Sequence, residues 1–229
     1  MKLAPTQTHA LPKAGHRPEE YEDAAAGPVT RSGAVYAAVA DGATESAFAG
    51  AWAQALAEAW VEEGAVDVAV RRARAAFNRR VEARTPALAW YAEAKVAEGA
   101  HATLLGVAVE RDGQYRATAV GDCCLFHLRE DGLHRAWPLD APGAFSNVPA
   151  LLSSRADATT PDQESTGGRV EPGDRLLLAT DALAAYLLGA DPTAAVGLDA
   201  DAVAAFVERA RRDGMKNDDV TLVELAFRR

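Results

Sequence analysis

Cysteine is nearly absent from this chain: there are two, Cys123 and Cys124, side by side. Adjacent cysteines build neither a disulfide framework nor the spaced knuckle of a structural zinc site, so the core must hold the fold. Histidine is thin too, and His9, His16, His101, His127 and His134 are scattered without ligand spacing, which points to surface or structural roles. Basic charge is short, with 24 Lys and Arg against 33 Asp and Glu and a formal net charge of -9. Nucleic-acid binding needs a basic footprint that displaces counterions from phosphates, and none is present. An anionic ligand would have to be recruited by local cations. No apolar run is long enough to cross a bilayer, and Met1 to Glu20 holds no apolar core of signal-peptide length. The expectation is a cytoplasmic protein without membrane or nucleic-acid partners.

What is present is a globular profile of 229 residues, 49% hydrophobic and 25% charged, enough for one sizeable core. A single domain over 1–229, acting as a monomer, is expected. The first half is organised around the apolar run Val35 to Ala40, which ends in Asp41-Gly42. Its length suits a buried strand, and Phe48, Trp52, Leu56 and Trp60 then recur at four-residue spacing, one stripe of an amphipathic helix. Gly64 closes that helix, Asp67 opens a second to about Arg84, and Thr85-Pro86 starts a third carrying Trp90 and Tyr91. Upstream, Lys2 to Ala10 alternates weakly as a first strand, and Gly27-Pro28 and Arg31-Ser32-Gly33 read as turns.

From Ala102 the period becomes alternating. Leu105, Val107 and Val109 share a face, Asp112-Gly113 turns, and Tyr115 to Val120 returns. After Gly121-Asp122 come Cys123 to Arg129 and Leu133 to Trp137, which together read as an antiparallel meander. Pro138 to Gly173 is rich in Pro, Ser, Gly, Ala and Asp and reads as a long, partly ordered insertion. Asp174 to Thr180 is a leucine-rich strand ending at Asp181, Leu183 to Leu188 begins a helix, Asp199 to Arg212 is another, and Val220 to Phe227 is the last strand. Strand-rich and helix-rich segments with hairpins indicate an α+β layered domain with mainly antiparallel sheets.

Asp41, Asp122 and Asp181 each follow a strand-like run, and Asp218 precedes one. In antiparallel sheets ends and starts share a rim. Carboxylates gathered there repel one another unless a cation compensates them, and oxygen ligands without histidine favour Mg²⁺ or Mn²⁺ over zinc. Taken singly, each acid also fits an ordinary turn, bulge or helix cap.

Order and surroundings decide between these readings. Glu22-Asp23-Ala24, Val39-Ala40-Asp41-Gly42, Ala102-Thr103-Leu104, Ala119-Val120-Gly121-Asp122, Gly173 to Asp181 and Asp218-Asp219-Val220-Thr221 stand in sequence and spacing that resemble the motifs of the metal-dependent protein phosphatases, the PPM or protein phosphatase 2C family. The resemblance runs from about Tyr21 to the C-terminus. It implies a β-sandwich of two antiparallel sheets flanked by helix pairs, with two metal ions, Mg²⁺ or Mn²⁺, in a cleft at one end and a third in some members. Asp41 would bridge both metals and Gly42 offer its carbonyl. Asp181 and Asp218 would hold one ion, Asp23 with Glu22 would order the waters of the other, and Asp122 with Asp181 would take the additional one. The implied activity is that of a serine/threonine phosphoprotein phosphatase, in which a metal-bridging hydroxide attacks phosphorus. The family's phosphate-binding arginine would be Arg17, displaced by one residue.

The chain departs from the pattern in places. Ala43-Thr44-Glu45 stands where the family usually has glycines, or a histidine acting as proton donor, so the donor is unassigned. Ala182 replaces a glycine, at a cost only if its backbone needs positive φ. Pro138 to Gly173 does not look like the usual flap, so the family's substrate selection does not transfer. Cys123 and Arg129 have the C-x5-R spacing of cysteine-dependent phosphatases, but the intervening residues alternate as a strand without glycine, and Asp122 would raise the thiol pKa. Gly167-Gly168, without lysine or a following helix, is no phosphate cradle. The alternative to an enzyme is a phosphatase-like regulator that binds metal or a phosphoprotein without turnover. Clustered acids speak for the enzyme, because a scaffold has no electrostatic reason to keep them.

Overall fold

The computed structural model describes residues 2–3, 6–44, 46, 48–82, 98–146 and 148–228. The third helix expected from Thr85, with Trp90 and Tyr91, lies outside them, as does Glu45. The strands are β1 (Lys2–Leu3), β2 (Gln7–Leu11), β3 (Ala24–Arg31), β4 (Ala34–Ala40), β5 (His101–Ala102), β6 (Leu104–Val109), β7 (Gln114–Val120), β8 (Cys124–Arg129), β9 (Gly132–Trp137), β10 (Leu152–Ser153), β11 (Glu164–Arg169), β12 (Arg175–Ala179) and β13 (Val220–Arg228). The α-helices among the described residues are α1 (Ala49–Glu63), α2 (Val66–Glu82), α3 (Asp181–Gly189) and α4 (Ala200–Arg212).

Two antiparallel sheets stack face to face. One runs β11-β7-β6-β4-β3; the other runs β1-β13-β12-β8-β9, with β2 also on β13. Ala37, Val39, Leu105 and Val107 from the first meet Leu176, Leu178, Val223 and Leu225 from the second in the central core. The alternate residues point outward: Ala38, Ala40 and Leu104 pack under α1 and α2, and Leu177, Ala179 and Leu222 under α3 and α4. Strand β12 is leucine-rich because it is buried on both faces, and each buried leucine is worth about 1.5–3 kcal/mol relative to exposure. The result is the expected α-β-β-α layering.

The stripe on α1 behaves as its spacing predicts. Trp52, Leu56 and Trp60 are buried against the sheet, and Trp52 Nε1 donates to Leu152 O at 2.8 Å. Gly64 ends the helix in the left-handed region at φ 73, where its N–H returns to Trp60 O.

Three local expectations need correction. Gly27-Pro28 does not end a segment: it lies inside β3, where pairing with β4 shifts register between Ala26 and Val29. Proline is tolerated because β3 is an edge strand and the bulge absorbs its missing donor. The meander is instead two hairpins in different sheets, β6-β7 in one and β8-β9 in the other, with the crossing at Gly121-Asp122. Within Pro138 to Gly173, Glu164–Arg169 is a strand that pairs with β7 over its whole length. Its Ser-Thr-Gly-Gly composition showed no alternation because it is an exposed edge.

Candidate metal centre

Strand register brings the acids together. β12 and β13 are antiparallel, with Ala179 opposite Leu222, so the residues beyond β12 and before β13 meet: these are Asp181 and Asp218. In the other sheet Val39 lies opposite Leu105, and Leu104 opposite Val120, so the start of β6 holds the ends of β4 and β7, and hence Asp41 and Asp122, side by side. All four acids line one cleft of about 1050 Å³, with Gly42, Thr103, His101 and Lys216. Its opposite wall is apolar, from Phe145, Val148 and Leu151 of the loop after β9 and from Tyr186 of α3.

Glu22 and Asp23 lie behind this rim. Asp23 is buried and its Oδ2 accepts from Thr180 Oγ1 at 2.8 Å and Thr221 Oγ1 at 3.0 Å. Gly42 touches this layer directly: a Cβ there would come within 2.5 Å of Glu22 O and 2.8 Å of Ala49 C. The Asp-Gly pair is therefore a close backbone approach and not only a turn. Asp219 ties the layer down, accepting from Lys13 N at 2.8 Å and Glu22 N at 2.7 Å.

Asp41 is fixed through its backbone. Its N–H donates to Thr103 Oγ1 at 3.2 Å, and Thr103 N donates to Asp41 O at 2.9 Å. Thr103 Oγ1 also lies 3.0 Å from Cys123 Sγ, which is buried, and burial with the charges of Asp41 and Asp122 pushes that thiol well above its usual range. Cys123 is structural, as the alternation at β8 implies. Just beyond, Ala43 N donates to His101 O at 2.9 Å, and Ser46 Oγ lies 3.3 Å from His101 Nδ1.

The electrostatics are those of crowded acids. Burial pushes Asp23 up to about 7, against the hydrogen bond from Thr180. Burial, then the charges of Asp23, Asp181 and Asp122, drives Asp41 well above the carboxylate range. Asp122 rises to about 6 through burial and the charge of Asp181, and its buried Oδ1 has no hydrogen-bond partner among the described residues. Burial also raises Glu22.

Asp181 opens α3, its Oδ1 accepting from Ala182 N at 2.6 Å, and Ala182 is helical, so no positive φ is imposed on it. Lys216 Nζ lies 3.0 Å from Asp181 Oδ2 and 2.7 Å from Asp218 Oδ2. Burial opposes the charge on Lys216, yet these acids hold its pKa above the ordinary value.

Arg17 is not brought to the cleft. Its backbone N–H and side chain both bind Glu20 Oε2, at 2.9 and 3.4 Å, across the turn Pro18–Glu20, and its side chain is 77% exposed. The sequence reading missed Lys216 and the clamps Thr180, Thr221 and Asp219. Asp219 was legible as a neighbour of Asp218, whereas Lys216 carried no spacing signal.

Among the described residues no three acidic, histidine or cysteine side chains close on one point as a finished metal cage. The Lys216 ammonium supplies compensating charge beside Asp181 and Asp218. The donor set still fits a hard divalent cation, because it is all oxygen and includes the unpartnered Oδ1 of Asp122.

Solved structures share this architecture. The serine/threonine phosphatase PstP/Ppp of Mycobacterium tuberculosis matches with TM-score 0.67 and 18% identity over 100% of both chains. The catalytic domain of PstP in complex with two manganese ions matches with TM-score 0.64 and 18% identity over 98% of this chain and 99% of that one. RsbX in complex with magnesium matches with TM-score 0.57 and 16% identity over 98% of each chain. At such identities these likenesses establish the fold. No curated protein sequence matches the chain. The family model for protein phosphatase 2C matches residues 15–219, which is most of the chain, and on that match the chain belongs to the protein phosphatase 2C family.

Proposed function

We propose that this protein is a metal-dependent serine/threonine phosphoprotein phosphatase. The observation that carries the reading is the gathering of Asp41, Asp122, Asp181 and Asp218 on one rim of an open cleft, with the Asp122 Oδ1 left unpaired. Asp41, Gly42, Asp181 and Asp218 would hold two divalent ions, Mg²⁺ or Mn²⁺. Asp23 and Glu22 would steady the surrounding waters, and Asp122 with Asp181 would take a third ion. When bound, such ions supply Lewis acidity toward water and phosphoryl oxygens.

The chain's own residues do the rest. Thr180 and Thr221 fix the Asp23 carboxyl, Thr103 fixes the end of β4, and Asp219 holds the Glu22 backbone in place. Phe145, Leu151 and Tyr186 line one side of the cleft with apolar surface that would receive the side chains flanking a phosphorylated residue. His101, beside Ala43, lines the cleft and would be the group that supplies a proton to the leaving oxygen.

The test is hydrolysis of p-nitrophenyl phosphate and of a phosphothreonine peptide with Mn²⁺, comparing wild type with Asp41→Asn and Asp181→Asn. Losing one carboxylate should lower kcat roughly 100-fold or more. Equal rates in all three proteins, or a rate indifferent to metal, would sink the enzymatic reading. The ammonium lodged between Asp181 and Asp218 favours a second reading, a regulator of the same fold. Thermal stabilisation by Mn²⁺ without turnover would select it.

A further inference from the structure

Lys216 lies between two carboxylates that the metal-phosphatase reading assigns to a divalent ion. At 3.0 and 2.7 Å, its Nζ makes charge-assisted hydrogen bonds to one oxygen of Asp181 and one of Asp218. The backbone on both sides is anchored. Met215 is buried under α4 with its N–H on Ala210 O at 2.9 Å, and Arg211 Nη2 holds Asp218 O at 2.8 Å. The lysine stem therefore starts from a fixed point on the cleft wall and its reach covers the acid pair.

The other end of the rim is different. Asp122 is 6% exposed, and its Oδ1 has no hydrogen-bond partner among the described residues. Among the described residues neither Asp41 nor Asp122 has a salt-bridge partner, whereas Asp181 and Asp218 share Lys216. One rim thus has two kinds of acid site, one already holding a positive charge and one holding none.

We propose that Lys216 is a tethered cation for the Asp181–Asp218 pair, so that a divalent ion enters that pair only by displacing it, while the Asp41 end of the rim fills at lower free metal. The inference rests on the metal-phosphatase reading and adds to it an order of filling. An ammonium and a divalent ion repel each other and compete for the same two oxygens. The Lys216 side chain is 63% exposed, so it has open solvent to swing into. Removing the ammonium has two effects of opposite sign: the metal-free protein loses a charge that holds two acids together, and the ion loses its competitor.

The experiment is calorimetric titration of metal-stripped protein with Mn²⁺, together with melting temperatures in EDTA and in Mn²⁺, for wild type, Lys216→Met and Lys216→Arg. Wild type should show a tighter and a weaker class of site. In Lys216→Met the weaker class should tighten by about tenfold or more, the melting temperature in EDTA should fall, and the rise on adding Mn²⁺ should grow. Lys216→Arg, which keeps the charge, should keep the weaker class. An unchanged or weakened affinity in Lys216→Met overturns the inference while leaving the metal site standing, and so does tightening in Lys216→Arg equal to that in Lys216→Met. Absence of Mn²⁺ binding in every variant removes the metal site itself and the inference with it.

Discussion

A residue's meaning at this rim comes from what the strand ends bring beside it. Asp41-Gly42 is an ordinary turn dipeptide in isolation, but its glycine has no room for a Cβ against Glu22 O, and its carboxyl is raised by burial and then by three other acids. His101 gains its meaning in the same way. It opens β5, pairs its carbonyl with Ala43 N and lines the cleft, where the segment after Asp41 has no histidine of its own. If His101 protonates the leaving oxygen, His101→Ala should matter in proportion to the basicity of that oxygen. The expected loss in kcat is roughly 100-fold for a phosphothreonine peptide, whose alkoxide needs a proton, and a few-fold for p-nitrophenyl phosphate, whose phenolate does not. Equal losses on the two substrates would reduce His101 to a structural partner of Ser46.

At the scale of elements, close packing of α1 on the sheet positions the strand end that carries Asp41. Gly106 in β6 lies under the Trp60 indole, and a Cβ there would overlap the ring. Trp60 is buried and is also stacked at an angle against Tyr36, so it has little freedom to retreat. Gly106→Ala should destabilise the fold by about 1–3 kcal/mol through overpacking, read as a lower urea midpoint with an unchanged slope. A neutral result would show that α1 can lift from the sheet.

The elements also show what was legible beforehand. The stripe Trp52, Leu56 and Trp60 declared α1, because a helix buried on one face must repeat its large residues. The motif acids were legible because they stand at strand ends, where a side chain is held rigidly and still meets solvent. β3 was hidden because its Gly27-Pro28 bulge carries turn chemistry inside a strand, and β11 because an exposed edge needs no apolar residues. Lys216 was hidden for another reason: a lone lysine in a short loop acquires its role only when β12 and β13 pair. Arg17 shows the converse, since closeness in sequence to Glu22-Asp23 did not carry it into the cleft.

For the whole molecule the crowded acids make stability depend on pH in an unusual direction. Asp23 is pushed up to about 7 and Asp122 to about 6, with Asp41 and Glu22 raised as well. An unfolded aspartate titrates near ~3.9, so between about pH 4 and 7 the folded chain binds more protons than the unfolded one. Unfolding then releases protons, and raising the pH through this window removes stability. The buried His127 works the other way, because burial lowers its pKa and its contribution is lost on acidification. It is one imidazole against four carboxyls. The lowered Glu20, Asp112, Asp157 and Asp191 are solvent-exposed pairs and turns, which screening makes weak. Lys216 and Tyr21, both raised, lose their contributions only in alkali beyond this window. In EDTA the protein should therefore be less stable to urea at about pH 8 than at about pH 5, and Asp122→Asn should flatten the slope. Mn²⁺ should reverse it, because a divalent ion binds deprotonated carboxylates and displaces the protons that hold the rim together. If the metal-free protein were instead more stable at the higher pH, the acids would not be protonated partners in the fold, and the compensation at this rim would have to come from Lys216 alone.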